Sequence, residues 1–313
     1  MTEPDSRAEN APPAQLSAHT DPGTRSGTGE ISLAVVSAEL TARFEQAGIA
    51  SAQTDAELLL ARALEISRAE LALALATDKT LPAEAAARLA PLADRREARE
   101  PLQHILGIAY FRHLELEVGP GVFVPRPETE MLVQLAMERL SAFASPAPIA
   151  VDLGTGSGAI ALALATEVPH AQVYAVEKSE DAIVWTRRNN ARYDNPITLI
   201  QGDLAVAFAE LNGTVSVVVS NPPYIPAAAV PRDPEVRNFD PELALYGGED
   251  GLDIVRQVSA TAQRLLHPGG ALLIEPGELQ GQEIRELLTA DGWRGAETHT
   301  DLTLRDRFTT ATK

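Results

Sequence analysis

Apolar residues recur at helical spacing from Ile31 to His104, in a segment rich in alanine and leucine. Helix starts are indicated by two capping-box patterns and by a proline shortly before an acidic residue, at Thr54-x-x-Glu57, Ser67-x-x-Glu70 and Pro82. No candidate catalytic residue stands out in this stretch. We therefore predict a small helical bundle over residues 30–106 and expect it to bind a partner.

The pattern changes over residues 107–124, where apolar residues lie on both sides of Gly119-Pro120-Gly121. Such apolar runs are typical of short strands, and a Gly-Pro-Gly sequence is typical of a turn. The combination predicts a β-hairpin with its turn at these three residues. We expect this hairpin to link the bundle to a second domain that covers residues 125–313.

After residue 125, short apolar runs alternate with helical stretches. The runs predict strands at Ile149–Leu153, Gln172–Glu177, Ile197–Gln201, Val215–Ser220 and Ala271–Glu275. The stretches between them predict helices at Gly158–Thr166, Glu180–Arg192, Gly251–Leu266 and Gln280–Leu288. This alternation predicts an α/β domain with a parallel sheet covered by helices on both faces. Ligands of such sheets bind beyond the carboxyl ends of the strands, so candidate site residues should stand there.

Composition and charge narrow the classes of function. With 26 Lys and Arg against 44 Asp and Glu, the formal net charge is −18, which disfavours duplex nucleic acid as a partner. The absence of cysteine excludes disulfides and thiolate catalysis. The six histidines do not cluster at the spacing of metal ligands, so we expect no metal centre.

The amino-terminal residues do not resemble a secretory signal. Residues 1–29 are rich in Pro, Gly, Ser, Thr and acidic residues, which predicts a disordered tail. They lack the apolar region of a secretory signal, and no stretch of the chain approaches the ~18 apolar residues of a membrane span. We therefore expect a cytoplasmic protein with no membrane partner.

A glycine-rich turn follows the first strand of the α/β domain, in the sequence Asp152-Leu153-Gly154-Thr155-Gly156-Ser157-Gly158. Glycines let the backbone turn tightly and approach a ligand closely. We assign Asp152, Gly154, Thr155, Gly156 and Gly158 to cofactor binding. Taken alone, the Gly-x-Gly-x-x-Ala spacing also fits a dinucleotide fingerprint, so an NAD-binding oxidoreductase stays an alternative.

Acidic residues follow the next two strands. Glu177 closes the second strand, where a carboxylate can accept both ribose hydroxyls of an adenosine group. Asp203 and Leu204 follow the third strand, where a carboxylate and an adjacent N–H can meet an adenine ring. Aspartate is equally favoured as a helix N-cap, so both roles stay open for Asp203.

The fourth strand ends in Asn221-Pro222-Pro223-Tyr224. The two prolines fix φ and remove two N–H donors, which makes the local backbone rigid. The side-chain carbonyl of Asn221 and the backbone carbonyl of Pro222 can together accept both N–H bonds of a planar amino or amide group. Tyr224 offers an aromatic face to stack on that plane. We assign Asn221, Pro222 and Tyr224 to catalysis, and these residues with Pro223 to substrate binding.

The glycine turn together with Asn-Pro-Pro-Tyr resembles the S-adenosylmethionine-dependent amino-group methyltransferases. Other stretches narrow the resemblance to the peptide chain release factor N5-glutamine methyltransferase family, namely Phe123–Glu130, Gly247–Leu252 and Asp301-Leu302-x-x-Arg305-Asp306-Arg307. The match covers the chain from Ile31 onward. Three positions depart from the family pattern: Glu177 stands for a frequent Asp, Glu275-Pro276-Gly277 for Glu-His-Gly, and Leu304 for Gly.

The resemblance implies a Rossmann-like class I methyltransferase domain with a mostly parallel seven-stranded sheet, preceded by the bundle and the hairpin. It implies methyl transfer from S-adenosylmethionine, leaving S-adenosylhomocysteine, to the side-chain amide nitrogen of the glutamine in the Gly-Gly-Gln motif of class 1 release factors. It also implies that Thr129 lies against the methionyl end of the cofactor, and we count Asn221 among the cofactor contacts. We expect a monomer that uses no metal and binds no nucleic acid directly.

An amide nitrogen is a poor base, and no histidine or carboxylate can deprotonate it near neutral pH. We therefore expect positioning by Asn221 and Pro222, without a general base, and an irregular substrate loop over residues 225–250. An adenine-N6 DNA or RNA methyltransferase is an alternative with the same grip, but the acidic charge argues against it. A non-catalytic adaptor for a translation factor is another, but the intact motifs argue against that.

Overall fold

Five helices form the first part of the chain in the computed structural model, which describes residues 31–300 and 305–313. Their bounds are α1 Leu33–Gln46, α2 Ala52–Leu64, α3 Arg68–Ala76, α4 Ala83–Glu97 and α5 Leu102–Leu106. Phe44, Leu59, Leu60 and Leu71 are almost fully buried in the core that these helices share. Apolar burial therefore stabilises this region. The predicted tail and Leu304 lie outside the described residues.

One of the predicted helix starts is wrong. The Ser67 hydroxyl accepts the N–H of Glu70 at 3.2 Å and the Glu70 carboxylate accepts the N–H of Ser67 at 2.8 Å, which confirms the capping box of α3. Pro82 directly precedes α4, as predicted. Thr54 lies inside α2, because the helix already begins at Ala52, whose side chain is buried in the shared core.

A β-hairpin follows the helices, but its turn is not where the sequence pattern predicts it. Strand β1 (Ile108–Phe111) pairs antiparallel with β2 (Leu114–Glu117), so the turn consists of Arg112 and His113. The predicted turn at Gly119–Gly121 is wrong, since these residues come after both strands.

Tertiary contacts explain the difference. Arg112 has φ of +52°, and its N–H donates to the Glu130 carboxylate at 2.9 Å while its guanidinium pairs with Glu167. These bonds stabilise a left-handed residue that local propensity disfavours. Gly119 serves close packing instead, because a Cβ there would lie 2.5 Å from the Trp185 ring.

The second part of the chain forms an α/β domain. Its helices are α6 Thr129–Ala142, α7 Ala159–Glu167, α8 Glu180–Arg192, α9 Pro234–Phe239, α10 Glu242–Leu245, α11 Asp253–Leu265 and α12 Gly281–Ala290. Its strands are β3 Ile149–Leu153, β4 Gln172–Glu177, β5 Ile197–Gln201, β6 Val215–Ser220, β7 Leu266–Ile274, β8 Arg294–Thr300 and β9 Asp306–Thr312. A single 3₁₀ turn within the described ranges spans Ala209–Leu211.

The described strands of this domain form a seven-stranded sheet in the order β5-β4-β3-β6-β7-β9-β8. Strands β3 to β7 pair in parallel, whereas β9 runs antiparallel to both of its neighbours. This confirms the mostly parallel class I methyltransferase sheet. Chain order reverses between β3 and β6, which creates a crevice at their carboxyl ends.

The sheet is buried on both faces. Val217 and Val219 of β6 pack in the core on the side of α6 and α7, whereas Val215 and Val218 pack on the side of α11 and α12. All residues of β6 are buried, as expected for a central parallel strand. None of the helices in the described ranges is long and apolar enough to cross a lipid bilayer.

Candidate functional site

A cavity of about 280 Å³ opens at the carboxyl edge of the sheet, where the turns after β3, β4, β5 and β6 meet. The segment that carries α9 and α10 closes its other side. The predicted site residues that line it are Thr129, Gly154, Thr155, Gly156, Glu177, Asp203, Leu204, Asn221, Pro223 and Tyr224. Asp152, Gly158 and Pro222 are buried behind this wall and do not line the cavity.

The glycine turn presents its backbone to the cavity. Gly154 and Gly156 have φ of +80° and +59°, a region that residues with a Cβ rarely adopt. The N–H groups of Gly154 and Thr155 both donate to the Val176 carbonyl oxygen at 3.0 Å, which fixes the turn against β4. A Cβ on Gly154 or Gly156 would meet no atom within 4 Å among the described residues. The turn thus borders open space that an elongated ligand can occupy.

Asp152 supports this turn from behind. Its Oδ2 accepts the Thr155 hydroxyl at 2.6 Å, and its Oδ1 has no hydrogen-bond partner in the described part of the chain. Burial raises the pKa of the Asp152 carboxyl to about 7, although the bond from Thr155 lowers it. The side chain therefore acts on the cavity through Thr155 rather than by direct contact.

Glu177 is held rigidly at the cavity wall. Its Oε2 accepts the N–H of Gly156 at 2.8 Å, and its Oε1 accepts the N–H of Ser179 at 2.7 Å. A carboxylate has about four lone-pair sites, so each oxygen keeps capacity for a further donor. The extra methylene relative to aspartate does not remove the carboxylate from the site.

Asp203 stands at the cavity wall and also begins a turn. Its Oδ1 accepts the N–H of Ala205 and its Oδ2 pairs with Lys178 Nζ, both at 3.0 Å. These bonds, the backbone bond first, hold the pKa of the Asp203 carboxyl below its usual range. Asp203 is therefore an ionised acceptor, and its contact with an adenine ring stays a prediction.

The Asn-Pro-Pro-Tyr segment begins where β6 and β3 are joined. The Ser220 hydroxyl donates to the Leu153 carbonyl oxygen at 2.6 Å. Asn221 Nδ2 donates to the Thr129 hydroxyl at 3.4 Å, which directs the amino end of the amide toward α6. Burial, followed by the nearby Glu275 carboxyl, raises the pKa of Tyr224, so its phenol stays neutral around pH 7.

A glycine-rich turn supports this segment from below. Ile225 N–H donates to the Leu245 carbonyl oxygen at 2.8 Å, and Gly247 N–H donates to the Ile225 carbonyl oxygen at 2.9 Å. A Cβ on Gly251 would lie 2.3 Å from the Tyr224 carbonyl oxygen. This close approach explains why glycine is required at Gly251. The pattern Gly-Gly-x-x-Gly is visible in the sequence, but its structural reason is not.

Residues 225–250, predicted to form an irregular loop, contain the helices α9 and α10. Arginine side chains fix the position of this segment. Arg126 pairs with the buried Asp240 at 2.9 Å and stacks on the Phe123 ring at 4.7 Å. Burial raises the pKa of Asp240 to about 6, against the effect of Arg126. Both Phe123 and Arg126 line the cavity, so this pair forms part of its wall.

The helical region reaches the same segment. Arg96 of α4 pairs with Asp55 of α2 at 2.7 Å and with Glu235 of α9 at 2.8 Å. Arg99 adds a contact with Glu235 at 3.2 Å. The first helices therefore fix the position of α9, whose Val236 lines the cavity.

Sequence reasoning missed Glu275 as a site residue. Its backbone N–H donates to the Ser220 carbonyl oxygen at 3.0 Å, so it lies beside Asn221 just after β7. Only 5% of the residue is exposed, and burial raises the pKa of its carboxyl to about 7, whereas the nearby Thr129 and Asn221 side chains lower it. The sequence feature that could have identified Glu275 is its position as an acidic residue at the end of the apolar run Ala271–Glu275. Among the described residues, no group of three or more acidic or histidine side chains is arranged to hold a metal ion.

Known proteins and family models match this chain over most of its length. A family model described as the PrmC N-terminal domain matches residues 36–107, and one described as the Methyltransferase small domain matches residues 116–233. A solved protein-(glutamine-N5) methyltransferase (release factor-specific) from Alicyclobacillus acidocaldarius is 29% identical and covers 63% of this chain and 98% of its own, with a TM-score of 0.39.

Two curated relatives cover more of the chain. The 4-amino-L-phenylalanine/4-methylamino-L-phenylalanine methyltransferase of Streptomyces pristinaespiralis is 40% identical over 259 residues, which are 81% of this chain and 86% of that protein. The release factor glutamine methyltransferase of Streptomyces coelicolor is 52% identical over 279 residues, which are 88% of this chain and 96% of that protein. The family expected from the motifs is thereby confirmed, and the chain belongs to the release factor glutamine methyltransferase family.

Proposed function

We propose that this protein transfers a methyl group from S-adenosylmethionine to the side-chain amide nitrogen of the glutamine in the Gly-Gly-Gln motif of class 1 release factors. The observation that carries the proposal is the orientation of Asn221. Its amino end donates to Thr129, so its carbonyl oxygen is left to accept an N–H from a ligand in the cavity. The names of the relatives support the same substrate.

The residues around the cavity fit S-adenosylmethionine. The open space before Gly154 and Gly156 suits a chain passing close to the backbone, and Glu177 suits the ribose diol. Asp203 and Leu204 suit the adenine ring, while Thr129 suits the methionyl end. When bound, this group supplies a methyl activated by its sulfonium.

The protein's own contribution to the reaction is positioning. Asn221 Oδ1, on a residue that lines the cavity, accepts one N–H bond of the glutamine amide, and the Tyr224 ring stacks on its plane. The carbonyl oxygen of Pro222, a buried residue just behind the cavity wall, accepts the other N–H bond once the amide is seated against Asn221. As the amide nitrogen gains positive charge, both acceptors bind it more strongly, which stabilises the transition state. The methylated amide, now a strong acid, then loses one proton to water. No general base is assigned, because an amide N–H is far too weak an acid for a carboxylate to deprotonate near neutral pH, and the Tyr224 phenol is neutral.

The remaining predictions follow from this substrate. A release factor presents its glutamine on a protein surface, so no direct contact with nucleic acid is needed, and the net charge of −18 is consistent with that. Release factors work on translating ribosomes, which implies a cytoplasmic enzyme. We propose a monomer without a metal, in which the helical region binds the partner.

A labelling assay tests the proposed function. The protein is incubated with methyl-labelled S-adenosylmethionine and one acceptor: a class 1 release factor, its Gln→Ala variant in Gly-Gly-Gln, duplex DNA, or 4-amino-L-phenylalanine. We expect label on the release factor and none on its variant. Label on DNA or on the aromatic amine, but not on the release factor, would overturn the assignment. Label on no acceptor would favour the non-catalytic adaptor.

Glu177→Ala is expected to weaken S-adenosylmethionine binding by roughly 1–3 kcal/mol, because a charge-assisted pair of hydrogen bonds to the ribose is lost. Calorimetric titration measures the dissociation constant. Glu180→Ala, at an exposed neighbouring position, serves as the matched control and should bind as the unmodified protein does. Equal affinities for the two variants would remove Glu177 from the ribose site.

A further inference from the structure

Glu275 is a buried carboxyl group beside the residue that grips the substrate. It follows β7, directly next to the end of β6, and is 5% exposed. It does not line the cavity. Its Oε2 has no hydrogen-bond partner within the described residues. Burying a carboxyl oxygen without a hydrogen-bond partner lowers the stability of the fold, so such a group is expected to serve a function.

The contacts of Glu275 show what it acts on. The Glu275 backbone bonds to Ser220, the residue before Asn221, and the nearby Thr129 hydroxyl and Asn221 side-chain amide both lower the pKa of its carboxyl. Asn221 Nδ2 also lies 3.4 Å from Thr129 Oγ1. An amide has one acceptor end and one donor end, and an ionised carboxylate can only accept. An ionised Glu275 therefore attracts the amino end of Asn221 and leaves the carbonyl end toward the cavity.

We propose that Glu275 is a positioning residue, whose ionised carboxylate holds the Asn221 amide in the one orientation that can accept a substrate N–H. The proposal rests on the function proposed above and adds a requirement that this function does not contain. The Asn-Pro-Pro-Tyr segment is competent only when the carboxylate beneath it is charged. Thr129 assists by accepting from Asn221 Nδ2, and its hydroxyl lowers the pKa of the Glu275 carboxyl.

The surroundings of Glu275 set the pH range in which its carboxyl is ionised and can orient Asn221. Burial raises the pKa of Glu275 to about 7, whereas Thr129 and Arg307 lower it and Glu128 raises it further. Within the described residues, the neutral Tyr224 phenol also lies close to it. Below pH 7 the carboxyl becomes protonated and can donate to Asn221 Oδ1, which favours the reversed amide. Methyl transfer should therefore rise with pH through about 7.

Glu275→Gln tests the proposal, with Glu283→Gln as a control that removes an exposed carboxylate from α12. At pH 8 we expect Glu275→Gln to lower kcat for the release factor roughly 10- to 100-fold, because a misplaced acceptor disturbs the near-attack geometry. The rise in activity with pH should be lost, while the affinity for S-adenosylmethionine stays unchanged and shows that the variant is folded. Glu283→Gln should retain the kcat and the pH profile. A Glu275→Gln variant with both retained would overturn the proposal.

A second readout does not depend on turnover. In ¹⁵N-labelled protein, the side-chain amide signals of Asn221, assigned by their absence from Asn221→Ala, should shift as Glu275 titrates and should not do so in Glu275→Gln. If these signals titrate but no release factor is methylated, the proposed function fails and the positioning role stands. If the release factor is methylated but the signals do not respond to pH, the positioning role fails and the function stands.

Discussion

Asn221→Ala is expected to lower kcat for methyl transfer roughly 100- to 1000-fold, the scale seen when one preorganised hydrogen-bonding group for the transition state is removed. The affinity for S-adenosylmethionine should change little, because most of the contacts proposed for that molecule come from Glu177 and the glycine turn. The alanine variant lacks the acceptor that fixes the glutamine nitrogen, and its cavity keeps its other walls. Turnover with labelled cofactor measures kcat, and calorimetry measures the dissociation constant.

Asn238→Ala is a suitable control for this experiment, since it removes an exposed asparagine of α9 near the same segment. It should leave kcat unchanged. If Asn221→Ala instead abolished cofactor binding while bound cofactor was still turned over, Asn221 would be a cofactor residue and not the grip on the acceptor.

Arg96→Ala is expected to lower the free energy of unfolding by about 3–5 kcal/mol, because it leaves buried charges without a partner. The Arg96 and Asp55 side chains are each only 4% exposed, so water cannot replace the lost contact. Arg96 also donates to the Glu100 carbonyl oxygen at 2.9 Å, which would become unpaired. Because Glu235 of α9 loses a partner too, the KM for the release factor should rise as α9 loosens. Urea unfolding, followed by circular dichroism and tryptophan fluorescence, measures the loss.

Arg68→Ala provides the comparison, since Arg68 pairs with Glu57 at 3.2 Å but its side chain is 60% exposed. Exposed pairs contribute about 0–1 kcal/mol, so this variant should unfold almost as the unmodified protein does. An Arg96→Ala variant no less stable than Arg68→Ala would contradict the role assigned to the buried pair.

The buried parallel strands were predictable to the residue. Ile149–Leu153, Gln172–Glu177, Ile197–Gln201 and Val215–Ser220 coincide with β3 to β6, because apolar runs bounded by glycine and polar residues mark central strands. β7 begins at Leu266 rather than at the predicted Ala271, since Pro268 and the glycines after it hide its first part. The apolar pattern does not predict β8, because most of this strand is polar and is exposed or half-buried at the sheet edge. The pattern does not predict β9 either.

The part of the candidate site that stands at the ends of strands was predictable from the sequence. The glycine turn, Glu177 and Asn221 line one cavity because each follows a strand of the same parallel sheet. Their spacing does not reveal that Asp152 lies behind the turn or that Glu275 lies beneath Asn221. Those facts depend on which strands are neighbours and on side-chain burial, which are set by tertiary packing.

The most direct test of the account is a crystal structure of the protein with S-adenosylhomocysteine and a peptide that contains Gly-Gly-Gln. We expect the glutamine side chain inside the cavity, with its amide nitrogen within about 2.7–3.2 Å of both Asn221 Oδ1 and the Pro222 carbonyl oxygen. A glutamine amide that lies outside the cavity, or one that points its nitrogen away from both oxygens, would contradict it.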